Sequence, residues 1–317
     1  MSLARGPLGR TGLTVPRICF GSLTMAPLQG DFSVERAAEV MAYAFSRGIN
    51  FVDCAQLYRV YPQVGAALRR YGRDDVTVAS KAYAYTREMA VDAVDEARRL
   101  LDRDVIDIFM LHEQESLFTV KGHREALDAL YTLKSRGIVR AVGISTHYIA
   151  GVDAAAAMGL DVVFPLINVD GWGIVDGSRA GMERAIARAA AAGLGIMAMK
   201  AFGGGNLHGK PRECLEYITR LPGIASVALG MQSEAEVDAN LHFFETGAFT
   251  PAQEAAIRAR HRRLHIEEWC VGCGRCVERC PNGAARVIDG RMVPDHAKCV
   301  LCGYCGAACD QYAIKVL

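Results

Sequence analysis

The chain of 317 residues carries 36 Lys and Arg against 35 Asp and Glu, a formal net charge of +1. This balance offers no attraction for nucleic acid or for an anionic membrane surface, and we expect neither partner. Hydrophobic residues make up 51% and charged residues 22%, which is typical of a globular protein with a sizeable core. No apolar stretch approaches the roughly 20 residues of a membrane span. The N-terminus lacks the apolar core of a secretory signal, so we expect a cytoplasmic protein.

Short apolar strand patterns alternate with amphipathic helix patterns between residues 16 and 247. The strand patterns are near-continuous apolar runs, typical of parallel strands covered on both faces. They cover residues 16–21, 49–55, 76–82, 105–112, 139–145, 162–168, 195–201 and 225–231. Eight strands, each followed by a helix, predict an α/β protein built on a (β/α)8 TIM barrel. A doubly wound open sheet is the alternative, and it fits less well because no G-x-G-x-x-G follows the first strand.

Helix patterns between these strands carry their own end signals. The clearest cover residues 33–48, 86–102 and 123–137. Ser33 and Thr86 are predicted N-caps, because their hydroxyls can accept from backbone N–H groups of the first turn. Gly48 and Gly137 are predicted C-terminal stops, since glycine tolerates the left-handed backbone that ends many helices.

The ends of the chain complete the expected organisation. GPLGRTGLTV, near the N-terminus, predicts a short hairpin that closes the barrel floor. A last helix over 250–265 is expected to link the barrel to the C-terminal segment. We therefore expect two domains, a barrel over residues 1–265 and a small α+β domain over residues 266–317.

Eight of the eleven cysteines lie in the last 48 residues, in two copies of the spacing C-x-x-C-x-x-C-x-x-x-C. In a reducing compartment, clustered cysteines more often bind metal than form disulfides. Three cysteines at strict two-residue gaps wrap one corner of a cubane, and the fourth reaches the other cluster. A zinc-binding segment is the alternative, but zinc sites usually take two close pairs held apart.

The spacing rule assigns two [4Fe–4S] clusters with crossed fourth ligands. The first is expected on Cys270, Cys273, Cys276 and Cys309. The second is expected on Cys299, Cys302, Cys305 and Cys280. Residues 267–317 resemble the bacterial two-cluster ferredoxin, although Asp310 stands where the first motif has a proline, so we expect the C-terminal domain to be ferredoxin-like.

Polar residues fall at the C-terminal ends of neighbouring strand patterns, where active sites of this barrel lie. Asp53 ends the second pattern, and Tyr58 follows five residues later in the loop. Lys81 ends the third pattern, and His112 ends the fourth after the apolar run IDIFML. Charged groups at the ends of apolar strands are costly unless paired, so we expect these side chains to converge.

These four residues predict a site that protonates a carbonyl oxygen. A free phenol has a pKa of about 10, and a nearby lysine cation lowers it. Asp53 would hold Lys81, and Tyr58 would then be the general acid. His112 would donate a second hydrogen bond that orients the oxygen. Separate structural roles for the four residues are the alternative.

Over roughly residues 5–247 the sequence resembles the aldo/keto reductase family. The resemblance is carried by GRTGLTVPRICFG, GINFVDCAQLY, the SK pair at 80–81, IDIFMLH, and VGIST at 142–146. It implies a catalytic tetrad of Asp53, Tyr58, Lys81 and His112. It also implies a nicotinamide cofactor, NAD(H) or NADP(H), extended across the barrel mouth, and a small carbonyl or alcohol as substrate.

The resemblance further implies which residues contact the cofactor. The carboxamide would lie on Ser145 and Asn168, the nicotinamide and pyrophosphate on the stretch 199–205, and the adenosine end on 230–240. The expected contact residues are Ser145, Asn168, Met199, Lys200, Phe202, Gly203, Gly230, Gln232, Glu236 and Asn240.

The sequence departs from the family pattern at several of these places. Cys54 replaces the usual Thr after the catalytic Asp, and Phe164 replaces an amide-binding Gln. The cationic side chains that commonly hold the 2′-phosphate of NADP are missing, with Glu236 among the residues in their place. A carboxylate repels a phosphate but accepts from a ribose hydroxyl, which favours NADH over NADPH.

The family's C-terminal segment usually folds over the barrel mouth, so the cysteine segment is expected to replace much of that wall. The clusters would then exchange electrons with a redox partner protein. Nicotinamide moves two electrons as one hydride and each cluster moves one, and the sequence has no motif for a flavin that would convert between them. Two alternatives stay open: an electron-transfer subunit whose barrel is mainly a docking scaffold, and clusters that are structural or sense oxygen.

Overall fold

The computed structural model describes residues 3–259 and 261–317, beginning with the predicted hairpin. Its strands β1 (Arg5–Pro7) and β2 (Thr14–Pro16) are antiparallel. Leu8 and Leu13, in the hairpin loop, pack with Phe51 and Ile108 inside the barrel. The hairpin therefore closes the floor of the barrel with apolar side chains.

Within the described residues, eight parallel strands form a closed barrel in which the last strand pairs with the first. All eight lie within or overlap the predicted strand patterns, and the TIM-barrel fold is confirmed. The barrel strands are β3 (Ile18–Gly21), β4 (Phe51–Asp53), β5 (Thr77–Ala82), β6 (Ile106–Leu111), β7 (Val139–Thr146), β8 (Val162–Pro165), β9 (Gly195–Ala198) and β10 (Ile224–Leu229).

Helices surround the barrel, and their buried faces pack on the outer side of the strands. They are α1 (Val34–Ser46), α2 (Tyr61–Tyr71), α3 (Arg87–Leu101), α4 (Leu117–Gly122), α5 (Arg124–Ser135), α6 (Ile149–Ala157), α7 (Arg179–Ala191), α8 (Pro211–Arg220), α9 (Glu234–Thr246) and α10 (Pro251–Ala259). The predicted N-caps are confirmed, because Ser33 accepts from the backbone N of Arg36 and Thr86 from that of Met89. Among the helices of the described residues, none combines the length and apolarity that a bilayer crossing requires.

The linking helix is shorter than the predicted 250–265. It ends at Ala259, residue 260 lies outside the described residues, and Leu264–Ile266 is strand β11. The reason is a long-range pairing: β11 is antiparallel to β14 (Ile314–Val316) near the C-terminus. The proposed division at residue 265/266 therefore falls inside a strand of the cysteine segment.

The cysteine segment, which we call the tail (residues 264–317), is a small α+β unit. It contains β11, α11 (Arg275–Glu278), β12 (Ala285–Ile288), β13 (Arg291–Pro294), α12 (Tyr304–Ala307) and β14. Its core combines apolar side chains such as Met292 with the cysteines themselves. Cys276 and Cys305 are buried, whereas Cys273 and Cys302 are exposed.

The tail packs against the open end of the barrel. The backbone N of Val316 donates to the carbonyl oxygen of Gly204 at 3.0 Å. The Asn206 amide donates to the carbonyl oxygen of Ile314 at 2.9 Å. A Cβ on Gly205 would lie 1.9 Å from the carbonyl oxygen of Val316, so this close approach requires glycine.

Candidate active site and cysteine cavities

The four residues of the predicted tetrad lie together at the C-terminal end of the barrel. Asp53 ends β4, Lys81 lies near the end of β5, and His112 directly follows β6. The Lys81 ammonium group is fully buried and donates to both carboxylate oxygens of Asp53, at 2.8 and 3.0 Å. It also lies 4.7 Å from the centroid of the Tyr58 ring. The local strand ends therefore bring the phenol and the lysine–aspartate pair into one buried cluster.

His112 faces Tyr58 as a neutral imidazole. The two rings are edge-to-face with centroids 5.7 Å apart. Burial, together with the positive charge of Lys81, lowers the pKa of His112 to about 3. Its Nδ1 is buried without a hydrogen-bond partner among the described residues. Such an imidazole can donate one hydrogen bond without carrying a charge.

The pKa of Tyr58 shifts in the direction opposite to the predicted one. Burial raises the pKa of the phenol well above its ordinary value, and the carboxylates of Asp53 and Glu113 raise it further. The lysine does not lower it in net, because Asp53 is paired with that same ammonium group. The phenol is therefore protonated at neutral pH, as a general acid must be before it donates.

Two further residues, Tyr83 and Glu113, lie beside His112. The Tyr83 ring stacks on His112 with centroids 4.5 Å apart, and its hydroxyl donates to Glu113. Glu113 has φ of +51°, a left-handed backbone that is strained for this residue type. Its carboxylate lies 3.9 Å from His147. Burial raises the pKa of Glu113, but the interactions with His147 and His112 and the hydrogen bond from Tyr83 outweigh burial and lower that pKa to about 2.

A cavity of about 230 Å³ opens beside Asp53 and Tyr58. It is bounded by strand ends, by the glycine-rich loop after β9 and by the tail. Seven of the ten residues expected to contact a cofactor line it: Met199, Lys200, Phe202, Gly230, Gln232, Glu236 and Asn240. The cavity thus joins Tyr58 to residues of α9, such as Glu236 and Asn240, in one continuous lining.

The other three expected contact residues do not line this cavity. Ser145 is fully buried and its hydroxyl accepts from the backbone N of Glu113 at 2.9 Å. Both amide atoms of Asn168 bond the backbone of Trp172. Gly203 has φ of +57° and turns the chain toward Leu207. These residues shape the loops around the cavity.

Sequence reasoning missed some of the lining residues individually. Lys315, Val316 and Leu317 of the tail, and Arg262 from the segment before it, all line the cavity. No local pattern marks these residues, because they reach the barrel only through the pairing of β11 with β14. The expectation that the tail forms part of the cavity wall is confirmed.

The residues that depart from the family pattern also lie in or near the site. Cys54 is buried, and its thiol donates to the carbonyl oxygen of Ala79 at 3.3 Å. The Phe164 ring lines the cavity, 5.4 Å from the Lys81 ammonium nitrogen. Glu236 accepts from the backbone N of Gln232 at 2.7 Å.

Two smaller cavities in the tail are each lined by four cysteines. One is lined by Cys270, Cys273, Cys276 and Cys309, and the other by Cys280, Cys299, Cys302 and Cys305. Each cavity thus takes three cysteines of one motif and the fourth of the other, as the spacing predicts. Backbone N–H groups already point at sulfur, from Met292 to Cys270 at 3.4 Å and from Ala284 to Cys280 at 3.2 Å. Such N–H···S bonds favour thiolate ligands, and the donor sets fit the clusters.

A closed (β/α)8 barrel with a buried phenol, lysine, carboxylate and imidazole at its C-terminal end has the architecture of a barrel enzyme. The family model of the aldo/keto reductases matches residues 17–214, and the chain belongs to this family of oxidoreductases. A model of the 4Fe-4S binding domain matches residues 264–286, the part of the tail that carries the first cysteine motif.

Individual relatives agree with both parts. L-galactose dehydrogenase from Arabidopsis thaliana is 29% identical over 44% of this chain and 47% of its own length. A subunit of an ion-translocating oxidoreductase complex from Methanosarcina acetivorans is 44% identical over 50 residues, 16% of this chain and 19% of its own length. The chain spans about half the length of the barrel relatives it matches.

Solved structures support the barrel fold. An aldo-keto reductase from Bacillus halodurans in its holo form aligns with a TM-score of 0.65 at 19% identity, over 81% of this chain and 95% of that one. A Bombyx mori aldo-keto reductase in complex with NADP aligns with a TM-score of 0.62 at 16% identity, over 81% and 92%.

Proposed function

We propose that this protein is an NAD(P)-dependent oxidoreductase that reduces a small carbonyl compound or oxidises the corresponding alcohol. The observation that carries the proposal is the shared cavity. Tyr58 and Asp53 line it together with most of the residues expected to hold a dinucleotide. The Lys81–Asp53 pair lies directly behind the phenol.

The chain's own residues supply the proton and the orientation. A reduced nicotinamide, when bound, supplies hydride to the carbonyl carbon. Tyr58 donates its phenolic proton to the carbonyl oxygen, so the product is the neutral alcohol. His112, neutral at physiological pH, donates a hydrogen bond to the same oxygen and fixes its position. The Lys81 ammonium nitrogen, 4.7 Å from the centroid of the phenol ring, is the cation beside the phenolate that would remain.

We retain NADH as the preferred cofactor, and NADPH as the competitor. Glu236 lines the cavity at the wall expected to hold the adenosine ribose, where its carboxylate would repel a 2′-phosphate. Arg262 lines the same cavity, and a cation there would favour NADPH instead. Titration with both dinucleotides decides between them.

We further propose that the tail holds two [4Fe–4S] clusters on the crossed cysteine sets. The clusters would supply one-electron transfer to or from a redox partner protein, and thiols in such number favour a reducing, cytoplasmic location. The likeness of the tail to a subunit of an ion-translocating complex supports an electron-transfer role. In the competing proposal the protein is an electron-transfer subunit and its barrel is a docking scaffold.

Replacing one phenol tests the proposed reaction. In anaerobic holoprotein, Tyr58→Phe is expected to lower kcat for reduction of a test aldehyde by at least about a hundredfold, because general acid catalysis contributes that much. Tyr71→Phe, which removes a hydroxyl on α2, is the matched control and should keep the wild-type rate. Undiminished turnover in Tyr58→Phe would overturn the tetrad. A wild-type protein that binds no dinucleotide by fluorescence titration would favour the scaffold.

A further inference from the structure

Two lysines from distant parts of the chain meet at one wall of the cavity. Lys200 follows β9 in the barrel, and Lys315 lies in β14 of the tail. Lys315 is only 2% exposed, and Lys200 is partly buried. Their ammonium nitrogens lie 5.7 and 3.5 Å from the centroid of the same Tyr312 ring, with Lys200 the more distant. The tail therefore adds a second cation beside the one that the barrel provides.

Neither lysine is ion-paired with a carboxylate in the described part of the chain. Lys315 donates to the carbonyl oxygen of Tyr312, which uses one of its three N–H donors. Burial lowers the pKa of both lysines, that of Lys315 well below its ordinary value, and the charge of Lys200 adds to the shift of Lys315. Glu267 and Glu113 act on them in the opposite direction without forming an ion pair. A bound anion at this wall would favour the charged form of both lysines.

We propose that Lys200 and Lys315 form a two-lysine anion site that holds the phosphate groups of the dinucleotide. The inference rests on the proposed function and adds the tail to the cofactor site. Both lysines line the same cavity as Tyr58, where the nicotinamide end is proposed, and Gln232 and Glu236, where the adenosine end is proposed. The phosphates that join the two nucleosides of a dinucleotide fall between such ends, and lysine binds phosphate as a point charge.

The backbone beside the lysines is compatible with this assignment. Lys200 itself has φ of +64°, a left-handed conformation that is uncommon outside glycine and is often retained at ligand sites. Gly204 and Gly205 follow it and line the same cavity. A Cβ on Gly204 would lie 2.8 Å from the Lys315 side chain, so the absence of a side chain at Gly204 leaves room for Lys315.

Fluorescence titration of anaerobic holoprotein with NADH and with NADPH tests the site. Lys315→Met and Lys200→Met keep the length of the side chain and remove the charge. Each is expected to weaken dinucleotide binding at least about tenfold, as for a lost hydrogen bond to a charged group. Lys315→Arg should retain affinity near the wild-type value. Arg286→Met, which removes an exposed cation elsewhere in the tail, should change nothing.

The outcomes separate this inference from the proposed function. If Lys315→Met keeps its iron and its circular dichroism spectrum and binds both dinucleotides like wild type, the anion site is wrong while the proposed function stands. If dinucleotide affinity is unchanged but KM rises only for a carboxylate-bearing aldehyde, the lysines bind substrate and the phosphate assignment is wrong. If wild type binds neither dinucleotide, the proposed function fails and this inference with it. If Lys315→Met loses iron, the dinucleotide affinity of Lys200→Met, a substitution in the barrel, decides whether the anion site is right.

Discussion

The lysine–aspartate pair is the feature on which the site depends at the scale of single residues. Lys81 is fully buried, and it is held by both oxygens of Asp53 and by the carbonyl oxygen of Cys54 at 2.9 Å. Burial raises the pKa of Asp53, whereas the lysine opposes this shift. Each charge is tolerated in the interior only because the other is present.

Removing one partner should therefore cost much more than removing both. We expect Lys81→Met to lower the free energy of unfolding by about 3 to 5 kcal/mol at pH 7, the usual range for a broken buried pair. Asp53→Asn combined with Lys81→Met should recover much of this loss, since no lone charge remains. Urea denaturation of the single variant, the double variant and the wild type provides the comparison. Equal losses in the single and double variants would contradict the pairing.

His112 gives a prediction about pH. Its pKa is lowered to about 3, below the ordinary value of about 6.5 for histidine. Between these values the unfolded chain binds a proton that the folded protein does not, so stability falls as pH decreases. The expected slope is about 1.4 kcal/mol per pH unit for one such proton. His112→Gln should therefore show a shallower decline between pH 6.5 and 5 in urea titrations. A slope identical to wild type would mean that His112 is protonated in the folded protein.

At the scale of elements, the glycine-rich loop after β9 serves the tail as well as the cavity. Val316 bonds Gly204, and the backbone of Val316 occupies the space where Gly205 would carry a Cβ. Sequence reasoning assigned this loop to the cofactor alone. The structure gives its glycines a second purpose, which is to let a strand of another unit approach within backbone contact.

Gly205→Ala is expected to loosen the tail, because the added methyl group would lie 1.9 Å from the Val316 carbonyl oxygen and φ is +83°. Gly209→Ala is a matched control in the same loop, since no atom lies within 4 Å of the position that a Cβ would take there. Hydrogen exchange of residues 264–266 and 314–316 should accelerate in the first variant only. If hydrogen exchange of residues 264–266 and 314–316 were unchanged in Gly205→Ala, the loop would have moved to accommodate the methyl group without loosening the tail.

Local signals explain which elements could be predicted. Hydrophobic runs located the barrel strands, and Ser33 and Thr86 marked helix starts correctly, because both signals lie within a few residues. The helix over 250–265 was predicted too long, because its end depends on β14, about fifty residues away in the chain. The same limit hid Lys315 and Arg262 from the candidate site. The convergence of the four polar side chains could be predicted, because the barrel topology itself brings neighbouring strand ends together.

At the scale of the whole molecule, the two cysteine motifs are interleaved. Cys309 of the second motif lines the cavity of the first, and Cys280 of the first lines that of the second. The two halves of the tail are thereby tied to each other through their proposed clusters. Spacing alone predicted this exchange, because the fourth cysteine of such a motif ligates the other cluster in two-cluster ferredoxins.

The exchange can be tested by substituting the fourth cysteines. Cys309→Ser should change the electron paramagnetic resonance signal of the cluster on Cys270, Cys273 and Cys276 and leave the other signal intact. Cys280→Ser should have the reciprocal effect. Cys214→Ser, which alters a buried thiol in α8, should keep the full iron and sulfide content. If Cys309→Ser instead changed the signal of the cluster on Cys299, Cys302 and Cys305, the crossed assignment would be wrong.

Because the tail forms part of the wall of the barrel cavity, oxidation of the tail should affect how the purified protein binds its cofactor. Cys273 and Cys302 are exposed, so air reaches the proposed cubanes at these corners first. The same polypeptide unit contributes Lys315, Val316 and Leu317 to the cavity. Bleaching of the brown colour on storage should therefore coincide with a decline in dinucleotide affinity, even while the barrel stays folded. Preparations made on the open bench would then be mistaken for an enzyme that binds its coenzyme weakly.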